Sequence, residues 1–179
     1  MKKIILCGIL ATFLSSTAFA DAFSGARFGG GFAKSDNDST DVGYGFKLEV
    51  GYDLNYMTGV SLSYESNEKK ISSNRNYDGS NLKLGADIGY VWILQGTTDK
   101  GVFVKPYLKA GLKQYKYDIE TETSGTTYLY SYSGISPYYG LGARFQFENI
   151  YADLSLDTTT FVSDVDNDQI ALTFGIKFK

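Results

Sequence analysis

Among its 179 residues the chain has no histidine. That removes the side chain that most often acts as a general base near neutral pH and most often ligates metals. Its single cysteine is Cys7, so no disulfide can close and no thiolate cage can form. Proline occurs only twice. After residue 20 no apolar run reaches the roughly 20 residues that a membrane-crossing helix needs, and no helical period appears. These absences exclude thiol and imidazole chemistry and lead us to expect no cofactor, no metal, no enzyme and no helical membrane anchor.

What is present is aromatic and glycine-rich. Tyr occurs 15 times, Phe 12 times and Gly 20 times. The start of the chain has the form of a cleavable export signal: Lys2 and Lys3, the apolar run Ile4 to Leu14, then Ala18-Phe19-Ala20 before Asp21. Residues 1–20 are therefore expected to be a signal peptide and residues 21–179 a single domain. A lipoprotein acylated at Cys7 is the alternative, but the apolar run continues past it. Lys2 and Lys3 are two of the 17 basic residues and none of the 20 acidic ones precedes Asp21, so the mature chain is more acidic than the net −3 of the whole. That argues against nucleic acid as a partner.

The stretch from Val42 to Leu54 alternates without a fault, with apolar residues at even positions and Gly, Lys, Glu or Asp at odd ones. Period two is the mark of a strand with one apolar and one polar face. Seven further stretches repeat it. They start near Ala22, Val60, Asn81, Val102, Tyr139, Ile150 and Ile170. Pro106 interrupts the fifth and requires a bulge or a locally unpaired position, since proline cannot donate to a ladder. Short turns are expected at Asn55 to Met57, Gln95 to Gly101 and Glu148-Asn149. Long polar loops are expected at Lys34 to Asp41, Ser66 to Gly79, Tyr117 to Ser133 and Thr158 to Asp168. The fold expected is all-β, an eight-stranded antiparallel up-and-down transmembrane β-barrel with both termini on the short-turn side.

Alternation alone leaves open which face looks inward, because a soluble ligand-carrying barrel has the same period. Three features favour an outward apolar face. No charged residue falls on it, as hydrocarbon requires, since a lipid-facing Lys or Arg costs about 2–4 kcal/mol at mid-bilayer. The polar face mixes both signs of charge with glycine, which suits a filled lumen. Aromatics gather at strand ends: Tyr52, Tyr90, Trp92, Phe145 and Phe147 at one rim, Tyr44, Phe46 and Tyr64 towards the other. The lumen salt-bridge candidates are Arg27, Lys47, Glu49, Glu65, Lys83, Asp87, Lys105, Lys109, Arg144, Asp153 and Asp157. Turn lengths set the register, placing Arg144 opposite Asp153 and Lys47 opposite Glu65.

The signal ending Ala18-Phe19-Ala20, the strands Val42 to Leu54 and Asn81 to Leu94, and the closing Phe174-Gly175-Ile176-Lys177-Phe178 together resemble the eight-stranded outer-membrane barrels of the OmpA-like, OmpX-like and opacity type. The resemblance implies a Gram-negative outer membrane, contact with its lipids and lipopolysaccharide, and delivery by the insertion machinery through the C-terminal strand. That machinery reads a terminal aromatic residue, whereas here Phe178 is followed by Lys179. The resemblance also implies a scaffold whose surface loops meet a host or cell-surface ligand, with Tyr128, Tyr130 and Tyr132 as candidate contacts. Family members that act on lipid A rely on histidine, which is lacking. Asp164 to Asp168 starts like a calcium loop, but Gln169 stands where glycine is needed and Gly175 where glutamate is. Lys34-Ser35 after Gly29-Gly30-Gly31 lacks phosphate-loop spacing, and Asn37-Asp38-Ser39 is a glycosylation sequon of no weight in a bacterial barrel. A narrow passive pore, biased to anions by Lys105, Lys109 and Lys113, is the alternative function, set against a lumen that eight strands of side chains fill.

Overall fold

The computed structural model describes residues 23–37, 40–72, 75–96, 101–123, 126–160 and 166–178. Residues 1–20, Cys7, Asp164 and Lys179 lie outside them, as does the proposed cleavage site. The described chain is almost wholly strand: β1 (Gly25–Asn37), β2 (Thr40–Asp53), β3 (Thr58–Ser72), β4 (Arg75–Gly89), β5 (Trp92–Gly96), β6 (Gly101–Thr123), β7 (Thr126–Phe147), β8 (Ile150–Thr160) and β9 (Asp166–Phe178). Apart from β4 and β5, which do not pair with each other, consecutive strands pair antiparallel, β1 pairs with β9, and β4 pairs with β6 to close the cylinder. β4 and β5 occupy one position in the wall, so the barrel has eight strands.

The interruption between β4 and β5 has a cause in the neighbouring strand. Its register places Tyr90 opposite Pro106. Tyr90 donates its amide to the Pro106 carbonyl at 3.3 Å. Proline has no amide to return, so the rung is half made and the ladder lapses over two residues. Pro137 plays a similar part on β7. The β7–β8 pairing ends at Tyr138 opposite Thr159. Pro137 is the next residue out and, having no amide, cannot donate to a further rung.

The turns at Asn55 to Met57 and Glu148-Asn149 are as short as expected, while residues 97–100 of the expected Gln95 to Gly101 turn lie outside the described residues. Asn55 accepts from the Met57 and Thr58 amides at 2.7 and 2.8 Å, an Asx turn that joins β2 to β3. Glu148 adopts φ 50°, which lets Glu148-Asn149 join β7 to β8 in two residues. The resulting registers place Lys47 opposite Glu65 and Arg144 opposite Asp153.

The long polar stretches differ from the expectation. Residues 66–72 and 75–79 are arms of the β3–β4 hairpin, and residues 117–123 and 126–133 are arms of the β6–β7 hairpin. Likewise β1 runs to Asn37, β2 starts at Thr40, β8 runs to Thr160 and β9 starts at Asp166. Beyond the membrane both faces of a strand can meet water. Polar side chains then accompany continued pairing, and the loss of an apolar face marks the end of the lipid band, not the end of the strand. The first strand starts at Gly25, three residues later than Ala22.

The facing is unambiguous. Leu48, Leu84, Leu108 and Phe174 are exposed on the outside of the barrel, Leu84 by 61% of its surface. Arg27, Lys47, Glu65, Lys83 and Asp153 are buried in the lumen, Glu65 completely. A soluble carrier would have these two sets exchanged. The inside is ionic and the outside too apolar for water.

Candidate functional site

Two places on the barrel concentrate polar chemistry: the lumen, and the long-hairpin ends of β6 and β7. In the lumen, odd positions of β2 and β3 and their counterparts elsewhere project towards the axis. At the short-turn end Asp53 is the hub. Its carboxylate accepts from Arg27 Nε at 3.0 Å, Arg144 Nη1 at 3.1 Å and Lys177 Nζ at 2.7 Å. Arg144 also meets Asp153 at 2.9 Å, Arg27 meets Glu49 at 3.0 Å, and Lys105 meets Asp87 at 2.6 Å. The Tyr107 hydroxyl donates to Asp153 at 2.6 Å. Both guanidinium groups lie over the Tyr151 ring, at 5.8 and 5.9 Å, adding cation–π contact. Below this layer Phe23 packs edge-on against Phe103, and Lys177 also donates to the Phe23 carbonyl.

Towards the long-hairpin end lies a second layer. Lys83 joins Glu65 and Asp157, each at 3.0 Å, and donates to Gln169; Lys109 joins Asp157 at 2.5 Å. Gln169 donates to Glu65 at 2.9 Å and Lys113 to Asn167 at 2.9 Å. Lys47 pairs with Glu49 at 2.8 Å on its own strand, although it stands opposite Glu65 in the ladder. Side chains that converge on an axis find partners across it, and Glu65 is taken by Lys83 from β4. Each of the eleven sequence-derived lumen residues thus has an ionic partner in the barrel. A buried charge without one would be costly.

Sequence reasoning missed Asp53, Lys177 and Gln169 as members, although strand parity alone places all three inside. It also missed the tyrosines. Tyr107, Tyr138 and Tyr151 are buried in the lumen, their phenol ends lying where a side chain on Gly142, Gly85 and Gly29 would otherwise stand. The glycines of the polar face therefore admit aromatic rings as well as long charged chains. No cluster of metal-ligating groups occurs among the described residues.

The second place is the β6–β7 hairpin. Tyr128, Tyr130 and Tyr132 belong to strand β7, not to a loop, and are exposed. By parity they continue the lumen-facing side of β7 beyond the point where the barrel encloses it. Tyr132 stands opposite Tyr117 and Tyr130 opposite Ile119 on β6; Tyr117 and Ile119 stand opposite Gly79 and Tyr77 on β4. Tyr115, Tyr117 and Tyr77 lie in ring contact, with centroids 5.4 and 5.5 Å apart. The hairpin's other face carries Lys116, Asp118 and Glu120, with Lys116 bridged to Asp118 at 2.9 Å. Ser131 donates to Asp118, and these bonds hold that exposed carboxyl below its ordinary range.

The rim aromatics Tyr52, Tyr90, Trp92, Phe145 and Phe147 are all exposed at the short-turn end, where Tyr90 meets Tyr56 edge-on at 5.7 Å. Phe46 and Tyr64 are in contact at 5.9 Å on the opposite half.

A closed antiparallel barrel, apolar outside, ionic inside and ringed by aromatics, is an integral protein of the bacterial outer membrane. The chain belongs to the outer membrane protein beta-barrel domain family, whose family model matches residues 6–178. No curated protein matches it. Among solved structures it is similar to Ail, the attachment invasion locus protein of Yersinia pestis, crystallised with the heparin analogue sucrose octasulfate. Identity is 23% and the TM-score 0.58, over 87% of this chain and 99% of that one. It is also similar to the N-terminal barrel of Pseudomonas aeruginosa OprF, at 21% identity and TM-score 0.60 over 86% and 98% of the two chains. The likeness to Pseudomonas aeruginosa OprG has a TM-score of 0.60 at 13% identity, over 87% and 96%. At these identities the likeness is one of fold.

Proposed function

We propose that the protein is a non-enzymatic, non-conducting surface barrel that meets its partner through the β6–β7 hairpin. One observation carries the reading. The hairpin stands clear of the barrel with a tyrosine-rich inner face, and Tyr128, Tyr130 and Tyr132 on it are exposed without helping to fill the lumen. Ordered aromatic side chains lose little entropy on contact and make effective anchors. The absence of histidine from the sequence supports a role without acid–base chemistry. Two ionic layers, with Tyr107, Tyr138 and Tyr151 between the charged groups, support a lumen that passes neither ions nor solutes.

Replacing residues 117–132 by a short turn tests the contact role. Cells displaying the shortened chain are expected to lose adherence while the protein still shows a folded-barrel mobility shift on unheated gels; unchanged adherence would refute the reading. Planar-bilayer recordings test the lumen, where steady ion-selective steps would restore the passive pore.

A further inference from the structure

Beyond the barrel, β7 has a partner on one side only. From Thr127 to Ser133 every residue is exposed, on both faces of the strand. β6 pairs with β7 throughout this stretch. On the other side the described pairing with β8 stops at Tyr138. The β8–β9 hairpin is too short to follow. Asp166 already stands opposite Thr160, so five residues separate its arms. Five residues extend a hairpin by two rungs, about 7 Å at strand rise, whereas Ser133 lies about 17 Å beyond Tyr138. The stretch therefore presents open backbone donors and acceptors along its edge.

An open edge readily pairs with another strand, and natural sheets blunt such edges with charge or proline. The projecting sheet shows both treatments. At its opposite edge the described pairing of β3 with β2 stops at Glu68, and the sequence there is Glu68-Lys69-Lys70. On β7, Thr127-Tyr128-Leu129-Tyr130-Ser131-Tyr132-Ser133 contains neither a charge nor a proline. These seven residues also read almost alike in both directions. Reversed about Tyr130, Tyr128 falls on Tyr132 and Thr127 on Ser133, and only Leu129 and Ser131 differ in kind. Antiparallel pairing of two identical strands performs that reversal, because a two-fold interface sets residue i against j and j against i.

We propose that β7 pairs antiparallel with β7 of a second copy about a two-fold axis at Tyr130, a reading that rests on the hairpin being the contact element. Tyr130 then faces its own counterpart, and Tyr128 faces Tyr132 on either side of it. All three share one parity, so the rings meet on one face of the joined sheet as cross-strand aromatic pairs. No charge meets a like charge within the seven rungs. A foreign strand would gain the backbone bonds, but the reversal symmetry matches side chains only for a second copy. Direction fixes where that copy sits. A barrel in the same membrane, turned about the membrane normal, would bring its β7 alongside in parallel. An antiparallel mate is upside down and belongs to a barrel in a facing membrane.

The test uses the full chain folded into phosphatidylethanolamine–phosphatidylglycerol vesicles at low salt. Clustering is read by energy transfer between two dyed vesicle populations. Vesicles carrying the chain are expected to cluster with one another and not with protein-free vesicles. Tyr130→Lys and Tyr130→Glu each set like charges face to face, so either alone should cluster at least tenfold less. Mixed together, the two should recover to within threefold of the parent. Off the axis, Tyr128→Lys should be rescued by Tyr132→Glu and not by Tyr128→Glu. All variants should keep the folded-barrel gel shift. Clustering with protein-free vesicles, unchanged clustering of either Tyr130 variant alone, or rescue of Tyr128→Lys by Tyr128→Glu would each overturn the proposal. If parent vesicles stay dispersed while the shortened hairpin still abolishes adherence, the contact reading stands and the second copy falls. If shortening leaves adherence intact, the contact reading falls with it.

Discussion

Arg144 and Tyr132 lie on one strand with the same parity, yet one is buried in an ionic lattice and the other is open to water. Nothing in the backbone between them changes: β7 keeps one unbroken register with β6 from Phe147 to Thr126. What changes is enclosure. Around Arg144 every neighbouring strand is present, so inward side chains must satisfy one another. Tyr132 lies six residues beyond Tyr138, the last β7 residue in the described pairing with β8, and its side chain is exposed. The same alternation thus buries an ionic lattice at one height and exposes aromatic rings at another.

Breaking the lower region should cost most. Asp53→Ala leaves Arg27, Arg144 and Lys177 without their shared carboxylate. Loss of one member of a buried charge cluster typically costs about 3–5 kcal/mol, so urea unfolding in lipid vesicles should show a drop of that order. On the outside, Leu84→Arg places a cation in hydrocarbon and is expected to cost about 2–4 kcal/mol. Its counterpart Leu129→Arg, on the outward parity of β7 but beyond the band, should stay within about 0.5 kcal/mol in the same assay. Equal costs at the two sites would mean that the lipid boundary is misplaced.

Smaller effects sharpen the contrast. Pro106→Ala supplies the missing amide opposite Tyr90. A new hydrogen bond contributes about 1 kcal/mol, and loss of proline's restriction of the unfolded chain removes about 0.4–1. The net change in stability should be slight, with slowed amide exchange at Tyr90 and Val91 as the sensitive readout. Smallest of all, Tyr130→Ala with Tyr132→Ala should leave unfolding within about 0.5 kcal/mol of the parent, because neither ring is buried in the barrel.

Much of this was legible from residue order. The strict alternation of Val42 to Leu54 and the lengths of the two tight turns were enough for facing and for the Arg144–Asp153 and Lys47–Glu65 registers, since a period of two leaves only one register once a turn is fixed. The absence of charge from the apolar face pointed to lipid. The lattice itself was less legible. Register names neighbours in the wall, whereas Lys83–Asp157 and Arg144–Asp53 reach across the axis between strands that never touch. Strand length was also hidden, because outside the bilayer the amphipathic signal vanishes while pairing continues, as in residues 66–72 and 117–123. The stacking of Tyr115 on Tyr117 could not be foreseen, since the two rings lie against Gly134 and Gly79, 19 and 38 residues away in sequence.

A cylinder of strands is held like a cask, each hoop of hydrogen bonds running the full circumference with no loose end. The lapse at Tyr90 and Val91 cuts the lowest hoop. Below it β5 is bound on the β6 side alone, five residues long and exposed throughout. Opening of the native barrel should therefore start at this stave, on the periplasmic side and away from the surface hairpins. Deuterium ought to enter Trp92 to Gly96 well before it reaches the opposite half of the same wall position, where β4 is paired on both sides.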